Sequence, residues 1–428
     1  LDLSRIVIYF IFLFFFSLLN KEMSNEIEGI PDNLGLYDVV KYGGVLSRQN
    51  SYQPASPQSN YQPGQLIQFA LPNELLDLRN SSFQFNITGS RVGGTFAMFQ
   101  KDIRCIIKRM TISFGSKTVV DINNYGLLCS IMDNCKDTQW AESVGKLQYG
   151  TGDAASRQAD FANSNRSYAV QLYNFSNHAE LLGQVLPLMM LNVQLYINLY
   201  LALPSECITT DGTSASYVVN NCQFHCASLT PSPGWMNAYN AKPSVNYNFL
   251  SLENNFDTSI LQAGITKCSK TLNFRNSSLI GLFFVMRPSA NLQNIAVDGK
   301  LSRYDLNDLN GFQIRCGTLT QPSDVTTSPQ DVFTYMLELF NKSSQTSLQL
   351  AVDYSGQNFV GGISLAKHPF QDTTSDISIN GMNTTIQSSL QMQLDFGTPL
   401  PANYTLDIFG VSEQQIQFLK NGGIIWEN

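Results

Sequence analysis

The sequence predicts an all-β protein made of two tandem β-sandwiches with short inserted helices. Three observations carry that expectation: apolar and polar residues alternate with a period of two along many short segments, a proline-rich break divides the chain near its middle, and an octapeptide recurs in the second half. At 428 residues the chain is too long for one ordinary sandwich and suits two cores of usual domain size.

The alternation is clear at Phe83, Phe85 and Ile87 against Gln84, Asn86 and Thr88, and again at Met110, Ile112 and Phe114. It is longest over Val193–Leu203, where Val193, Leu195, Ile197, Leu199, Leu201 and Leu203 share one face. Further strands are expected at Leu279–Arg287, Phe312–Leu319, Ile386–Phe396 and Tyr404–Phe409. Residues 230–244 (TPSPGWMNAYNAKPS) interrupt the period with three prolines and a glycine, which places a domain boundary there. The division read from this is an N-terminal arm over 23–60, a first sandwich over 61–235 and a second over 236–428.

Two helices are expected from their capping residues. Ser328-Pro329-Gln330-Asp331 supplies an N-cap, a first-turn proline and an acid, followed by a Val332, Phe333, Met336, Leu337 and Phe340 stripe. Ser412-Glu413-Gln414-Gln415 reads as a second capping box, leading through Ile416 and Leu419 to a Gly422-Gly423 stop. The octapeptide Leu76–Phe83 (LDLRNSSF) recurs as Leu272–Leu279 (LNFRNSSL), each copy leading into an apolar strand, which suggests an internal duplication.

Composition narrows the function. Apolar residues make up 43% and charged residues 14%, a balance that suits a chain with much surface buried between subunits. The net charge of −7 and the lack of a Lys/Arg cluster argue against sequence-specific nucleic-acid binding. The apolar run Ile6–Leu19 is shorter than the ~20 residues a transmembrane helix needs, and no small-x-small cleavage site follows it. Residues 1–22, ahead of Met23, are read as a leader or a non-native upstream translation, and no membrane span is expected in the mature protein.

No catalytic, cofactor-binding or metal-binding residues are assigned. The histidines His178, His225 and His368 have no nucleophile-elbow context, and no P-loop or dinucleotide-binding glycine pattern occurs. Cys222, His225 and Cys226 could suggest zinc, but no second ligand pair follows and the segment alternates like a strand. The other cysteines (Cys105, Cys129, Cys135, Cys207, Cys268, Cys316) are scattered and read as buried thiols. Asp305–Gly311 resembles a calcium loop, but Leu309 fills a ligand position and the closing acid is missing, so it reads as a polar turn. Sequons stand at Asn80, Asn86, Asn165, Asn174, Asn276, Asn341, Asn383 and Asn403, and chance accounts for them in so Asn/Ser/Thr-rich a chain.

Taken in order, four segments resemble the double jelly-roll major capsid proteins of polinton/Maverick elements, adintoviruses and virophages. Residues 61–85 look like the first strands of the N-terminal jelly roll, and residues 109–132 like the strand, turn and tyrosine-bearing short helix that follow. Residues 185–203 are similar to the family's proline-led long strand. Residues 311–341 (GFQIRCGTLTQPSDVTTSPQDVFTYMLELFN), the most specific, look like a strand, loop and helix of the second domain. The sequence departs from the pattern at 380–385 (NGMNTT), where many relatives have an acid. The resemblance implies a non-enzymatic capsid protein that forms a homotrimer as a pseudo-hexameric capsomer, contacts neighbouring capsomers and penton or minor capsid proteins, and resides in the virion. The rival readings are a secreted or surface β-sandwich adhesin or lectin-like glycoprotein, which the apolar leader and the sequons would suit, and a β-rich polysaccharide-processing enzyme, which would need paired carboxylates in a groove.

Overall fold

The structure, a computed structural model, describes residues 45–163, 165–173, 185–255, 259–323, 328–340, 348, 351, 354–366, 381–385 and 390–427. The first half contributes β1 (Val45–Tyr52), β2 (Leu66–Leu71), β3 (Leu75–Val92), β4 (Ala97–Phe99), β5 (Ile107–Phe114) and β6 (Lys117–Asn123). It continues with β7 (Arg166–Val170), β8 (Leu186–Pro187), β9 (Leu195–Leu201), β10 (Ile208–Thr210) and β11 (Ser214–Pro231). The second half contributes β12 (Ser244–Asn254), β13 (Ser259–Leu261), β14 (Lys267–Leu272), β15 (Leu279–Pro288) and β16 (Leu309–Cys316). It ends with β17 (Leu319–Gln321), β18 (Gly361–Ser364), β19 (Leu390–Phe396), β20 (Tyr404–Leu419) and β21 (Ile424–Glu427). Among the described residues the longer inserted α-helices are α1 (Tyr125–Asn134), α2 (Ala154–Ala162), α3 (Pro233–Asn240) and α4 (Pro329–Leu339), beside a π-helical segment at Ala141–Tyr149 and shorter helical turns.

Setting aside the short β4, β8, β10, β13 and β21, each half has eight strands in one arrangement. Its first, eighth, third and sixth strands form one sheet and its second, seventh, fourth and fifth the other. These are β1-β11-β3-β7 with β2-β9-β5-β6, then β12-β20-β15-β18 with β14-β19-β16-β17. The ladders are antiparallel. The two octapeptide copies lie at corresponding places in this order, yet Leu76–Phe83 is strand within β3 whereas residues 273–278 connect β14 to β15.

Side-chain period explains the sandwich cores. In β3, Phe83, Phe85 and Ile87 are buried while Gln84, Asn86 and Thr88 are half-buried on the other face. β11 begins with Tyr217 and Val219 inward, then Cys222, Phe224 and Cys226, a change of parity that would turn the apolar set outward. A bulge between Asn220 and Gln223, with Asn221 at φ 52°, absorbs the extra residue and keeps the core face apolar. In the second half, Leu282, Phe284, Met286, Phe312, Ile314, Leu394 and Ile408 fill one cluster between both sheets.

Several expectations change. The Ser412–Gly423 helix is not formed: residues 412–419 continue β20, paired with β12 from Ser251 to Ser244, and residues 420–423 turn into β21. Ser412, Gln414, Ile416 and Phe418 alternate inward, and the polar residues read as a cap serve across strands instead. Ser412 Oγ and Gln414 Nε2 donate to Glu253 Oε1 at 3.1 and 2.7 Å, and Ser278 Oγ donates to Glu413 at 2.6 Å. Eleven residues of ladder outweigh a local capping preference. The Ser328 helix does form as α4, with Ser328 Oγ accepting from the Asp331 N–H at 3.2 Å.

The strand expected over Val193–Leu203 is shorter, Leu195–Leu201, because Pro204 opens a helical turn and Val193 and Leu203 are 36% and 51% exposed. The Phe312–Leu319 strand is a hairpin: β16 stops at Cys316, Gly317 turns at φ 60°, and β17 returns. Of the Ile386–Phe396 strand, residues 390–396 form β19 and 386–389 lie outside the described residues. Residues 45–52, expected within an extended arm, form β1 on the edge of the first sheet; residues 1–44 lie outside the described residues. The proline-rich break contains α3, since Pro233 suits a first helical turn.

Candidate functional site

The most developed side-chain chemistry lies in the loops and at the seam where the halves meet. In the first half, the connection between β3 and β5 carries Asp102 and Arg104. Arg104 is 1% exposed; its Nε donates to Asp102 at 2.8 Å, its Nη1 to Gln171 O at 3.1 Å, and its Nη2 to Asp133 of α1. The guanidinium lies between the Tyr149 and Tyr173 rings, 4.5 and 4.6 Å from their centroids. Tyr173 OH donates to Asp133 at 2.7 Å, and Lys136 pairs with the same carboxylate at 2.9 Å. Burial pushes Asp102 up to about 7 despite Arg104, whereas Arg104 and Lys136 overcome burial at Asp133 and hold it below the usual carboxylate range. This cluster fastens the long insertion between β6 and β7 to the neighbouring loop.

The seam itself is apolar at its centre and polar at its rim. Phe283 of β15 stacks on Phe409 of β20 at 5.2 Å and meets Phe340 after α4 at 5.3 Å. Together with Val285 and Val411 these belong to the core cluster that holds Tyr125, Leu128 and Ile131 of α1. Gly281 is required at this approach, because a Cβ there would overlap Leu339 of α4. Phe114 of β5 also touches Phe418 of β20, 5.9 Å between centroids.

Around this centre, Arg287 donates twice to Asp407 at 2.9 and 2.7 Å, and Asn124 donates to the other Asp407 oxygen at 3.0 Å. Arg157 of α2 binds Asp298 through both terminal nitrogens at 3.1 and 2.9 Å. Thr210 N donates to Ile295 O and Thr209 Oγ1 to Val297 O, both at 2.9 Å. Most of these residues lie in connections after odd-numbered strands of their half, which antiparallel strands place at one end of each sandwich. The polar rim therefore draws on loops from one end of each sandwich, while the centre is the outer face of β15 and β20, which fixes the sandwiches side by side.

Against solved structures, the chain is similar to PBCV-1 VP54, with a TM-score of 0.64 and 12% identity over 90% of this chain and 98% of that one. It is similar to the Faustovirus major capsid protein at a TM-score of 0.56 and 8% identity, covering 88% and 91% of the two chains. For the mavirus major capsid protein the TM-score is 0.50 and the identity 12%, covering 89% and 90%. The fold is a double jelly roll. No family model and no curated protein sequence matches the chain.

The double jelly roll separates the candidate ligands noted in the sequence. Cys222 and Cys226 point into the first core, and His225 stands on the opposite face of β11, within 3.1 Å of Ser51 Oγ and Gln223 Oε1. The eight cysteines are thiols, not disulfides, and seven are buried. Asp305–Gly311 is a turn into β16, with Asn307 and Asp308 both at φ 53°. His178 and His368 lie outside the described residues. Among the sequons, Asn276 is 1% exposed and Asn86 holds a hydrogen bond from Ser167 at 2.7 Å. The Arg104 cluster and the seam pairs escaped sequence reading because most of their members are separated by tens to hundreds of residues, Asp102 beside Arg104 excepted; the one available signal was charge inside apolar stretches, as at Arg104 and Arg287.

Proposed function

We propose that this chain is the major capsid protein of an icosahedral double-stranded DNA virus or virus-like element, a structural block that performs no catalysis. The observation that carries the reading is the pair of sandwiches with identical strand order, fixed side by side by a buried seam. Solved proteins that share the fold include the VP54, Faustovirus and mavirus capsid proteins. Three such chains bring six sandwiches into a pseudo-hexagonal capsomer, the arrangement closed symmetry favours. On this reading the first jelly roll runs to residue 235, with its sheet reaching back to Val45, and the second occupies 236–428. Large apolar side chains left exposed outside the seam, including Val92, Leu147, Ile260 and Leu319, supply surface for subunits to cover. The trimer interface is then large and obligate, and contacts with neighbouring capsomers and penton proteins smaller and more polar. The place of action is the virion, assembled in the infected cell.

The test is the scattering mass of purified residues 23–428, with negative-stain imaging. A stable three-chain particle of hexagonal outline is expected. A monomer that persists across protein concentration and salt overturns the proposal and leaves the secreted β-sandwich glycoprotein, for which glycan occupancy is the next measurement.

A further inference from the structure

Lys300 differs from the other cations of the seam. It lies in the connection between β15 and β16, is 3% exposed, and reaches into the first half, where Nζ donates to Ser205 O at 2.6 Å and Ile208 O at 2.8 Å. Among the described residues these two uncharged carbonyls are its hydrogen-bond partners. The nearby acids are already matched: Asp407 to Arg287, Asp298 to Arg157, and Glu206 to Lys108 at 2.6 Å. Lys300 thus leaves one positive charge in excess, buried, with two of three ammonium protons used. An uncompensated buried charge is unfavourable, and burial accordingly depresses the Lys300 pKa.

Beside Lys300 lies a cavity of about 360 Å³, within the size range of small-ligand sites. Its wall is rich in donors, with Lys300, Arg287, Asn124, Asn254, Gln293 and Lys108 around it. Gln293 is exposed and Lys108 partly so, which places them at the rim. The Asp407 oxygens are taken by Arg287 and Asn124, and those of Glu206 by Lys108 and the Leu203 N–H. Arg287 has a further contact, its Nη1 donating to Lys300 O at 3.1 Å, and the lining groups with capacity left are donors, which suit an acceptor that carries negative charge.

We propose that this cavity binds a small oxyanion of the phosphate class, held by Lys300 and Arg287 with the amides of Asn124, Asn254 and Gln293. The anion supplies the counter-charge that Lys300 lacks and bridges the two jelly rolls, making their joint anion-dependent. The assignment rests on the geometry of the seam and holds whether or not the chain assembles into a capsid.

The experiment is isothermal titration of the full chain with inorganic phosphate, at neutral pH and ionic strength matched with chloride, alongside thermal unfolding in the same solutions. One saturable site per chain is expected, with a melting temperature that rises and then levels off. Lys300→Met should weaken binding at least tenfold, and Lys300→Arg should retain it. Where Lys300→Met does not fold, Gln293→Glu places a negative charge at the exposed rim and should weaken phosphate by a similar factor. An absence of saturable binding, or an affinity unchanged in Lys300→Met or Gln293→Glu, overturns the proposal. So does a rise in melting temperature that never levels off, since excluded salts stabilise any folded chain in that way.

Discussion

The sheets β1-β11-β3-β7 and β12-β20-β15-β18 have the same strand order and different surroundings. In the first, β3 and β11 are buried on one face and half-buried on the other, with Gln84, Asn86, Asn220 and His225 outward. In the second, every residue from Leu279 to Arg287 and from Tyr404 to Ser412 is buried. The inward residues Leu282, Phe284 and Met286 face their own sandwich, while Phe283 and Val285 join the cluster of the first half. One topology thus serves as an outer wall in one half and as an internal partition in the other. A sheet covered on both sides reads as a continuous apolar run, and LIGLFFVM is such a run.

The largest expected effect comes from breaking the partition. Phe283→Ala should cost about 3–5 kcal/mol in urea unfolding, whereas Gln84→Ala on the wet face of β3 should stay within about 0.5 kcal/mol. Equal effects would show that the two sheets are covered alike. Removing the anchor of the cover should be of similar size. Arg104→Met leaves Asp102 buried without a cation and Asp133 with Lys136 alone, at a cost of about 3–5 kcal/mol.

The seam rim should contribute less. A double-mutant cycle of Asn124→Ala with Asp407→Asn should give a coupling of about 0.5–3 kcal/mol; a value near zero would mean that the polar rim does not link the halves. On the outer face of the β2-β9-β5-β6 sheet, Asp121→Asn breaks the partly exposed pair with Arg109 and should cost less than about 1 kcal/mol.

Asp102 gives the comparison a pH axis. Its folded pKa of about 7 lies above the unfolded value near 3.9, so its contribution is complete below pH 4 and is lost as pH rises through 7. Asp133, held low, works in the opposite sense and loses its contribution as pH falls through its folded value. The wild type should therefore lose stability relative to Asp102→Asn between about pH 4 and pH 7, with a difference in slope of up to about one proton. Parallel stability profiles for the two proteins would contradict the buried position of this carboxylate.

What was legible in the sequence follows from local periodicity. Phe83–Ile87, Met110–Phe114 and the Ser328 cap announced their elements because the information sits within a few residues, where side-chain period and capping act. The same local logic misread Ser412–Gln415, whose hydroxyl and amides find Glu253 on β12 rather than their own backbone. It also overextended Val193–Leu203, whose ends leave the sheet where no partner strand continues. By itself the sequence determined an all-β chain of two sandwiches, since alternation in a strand is set by the backbone pleat. Only the tertiary structure decided which sheet would be dry on both faces, that Arg104, beside Asp102 in its own loop, would also reach the distant Asp133, and that Lys300 would face carbonyls in place of a carboxylate. Those outcomes depend on residues far apart in the chain reaching one place, where removal from water makes each unmatched charge or polar group count for far more than at the surface.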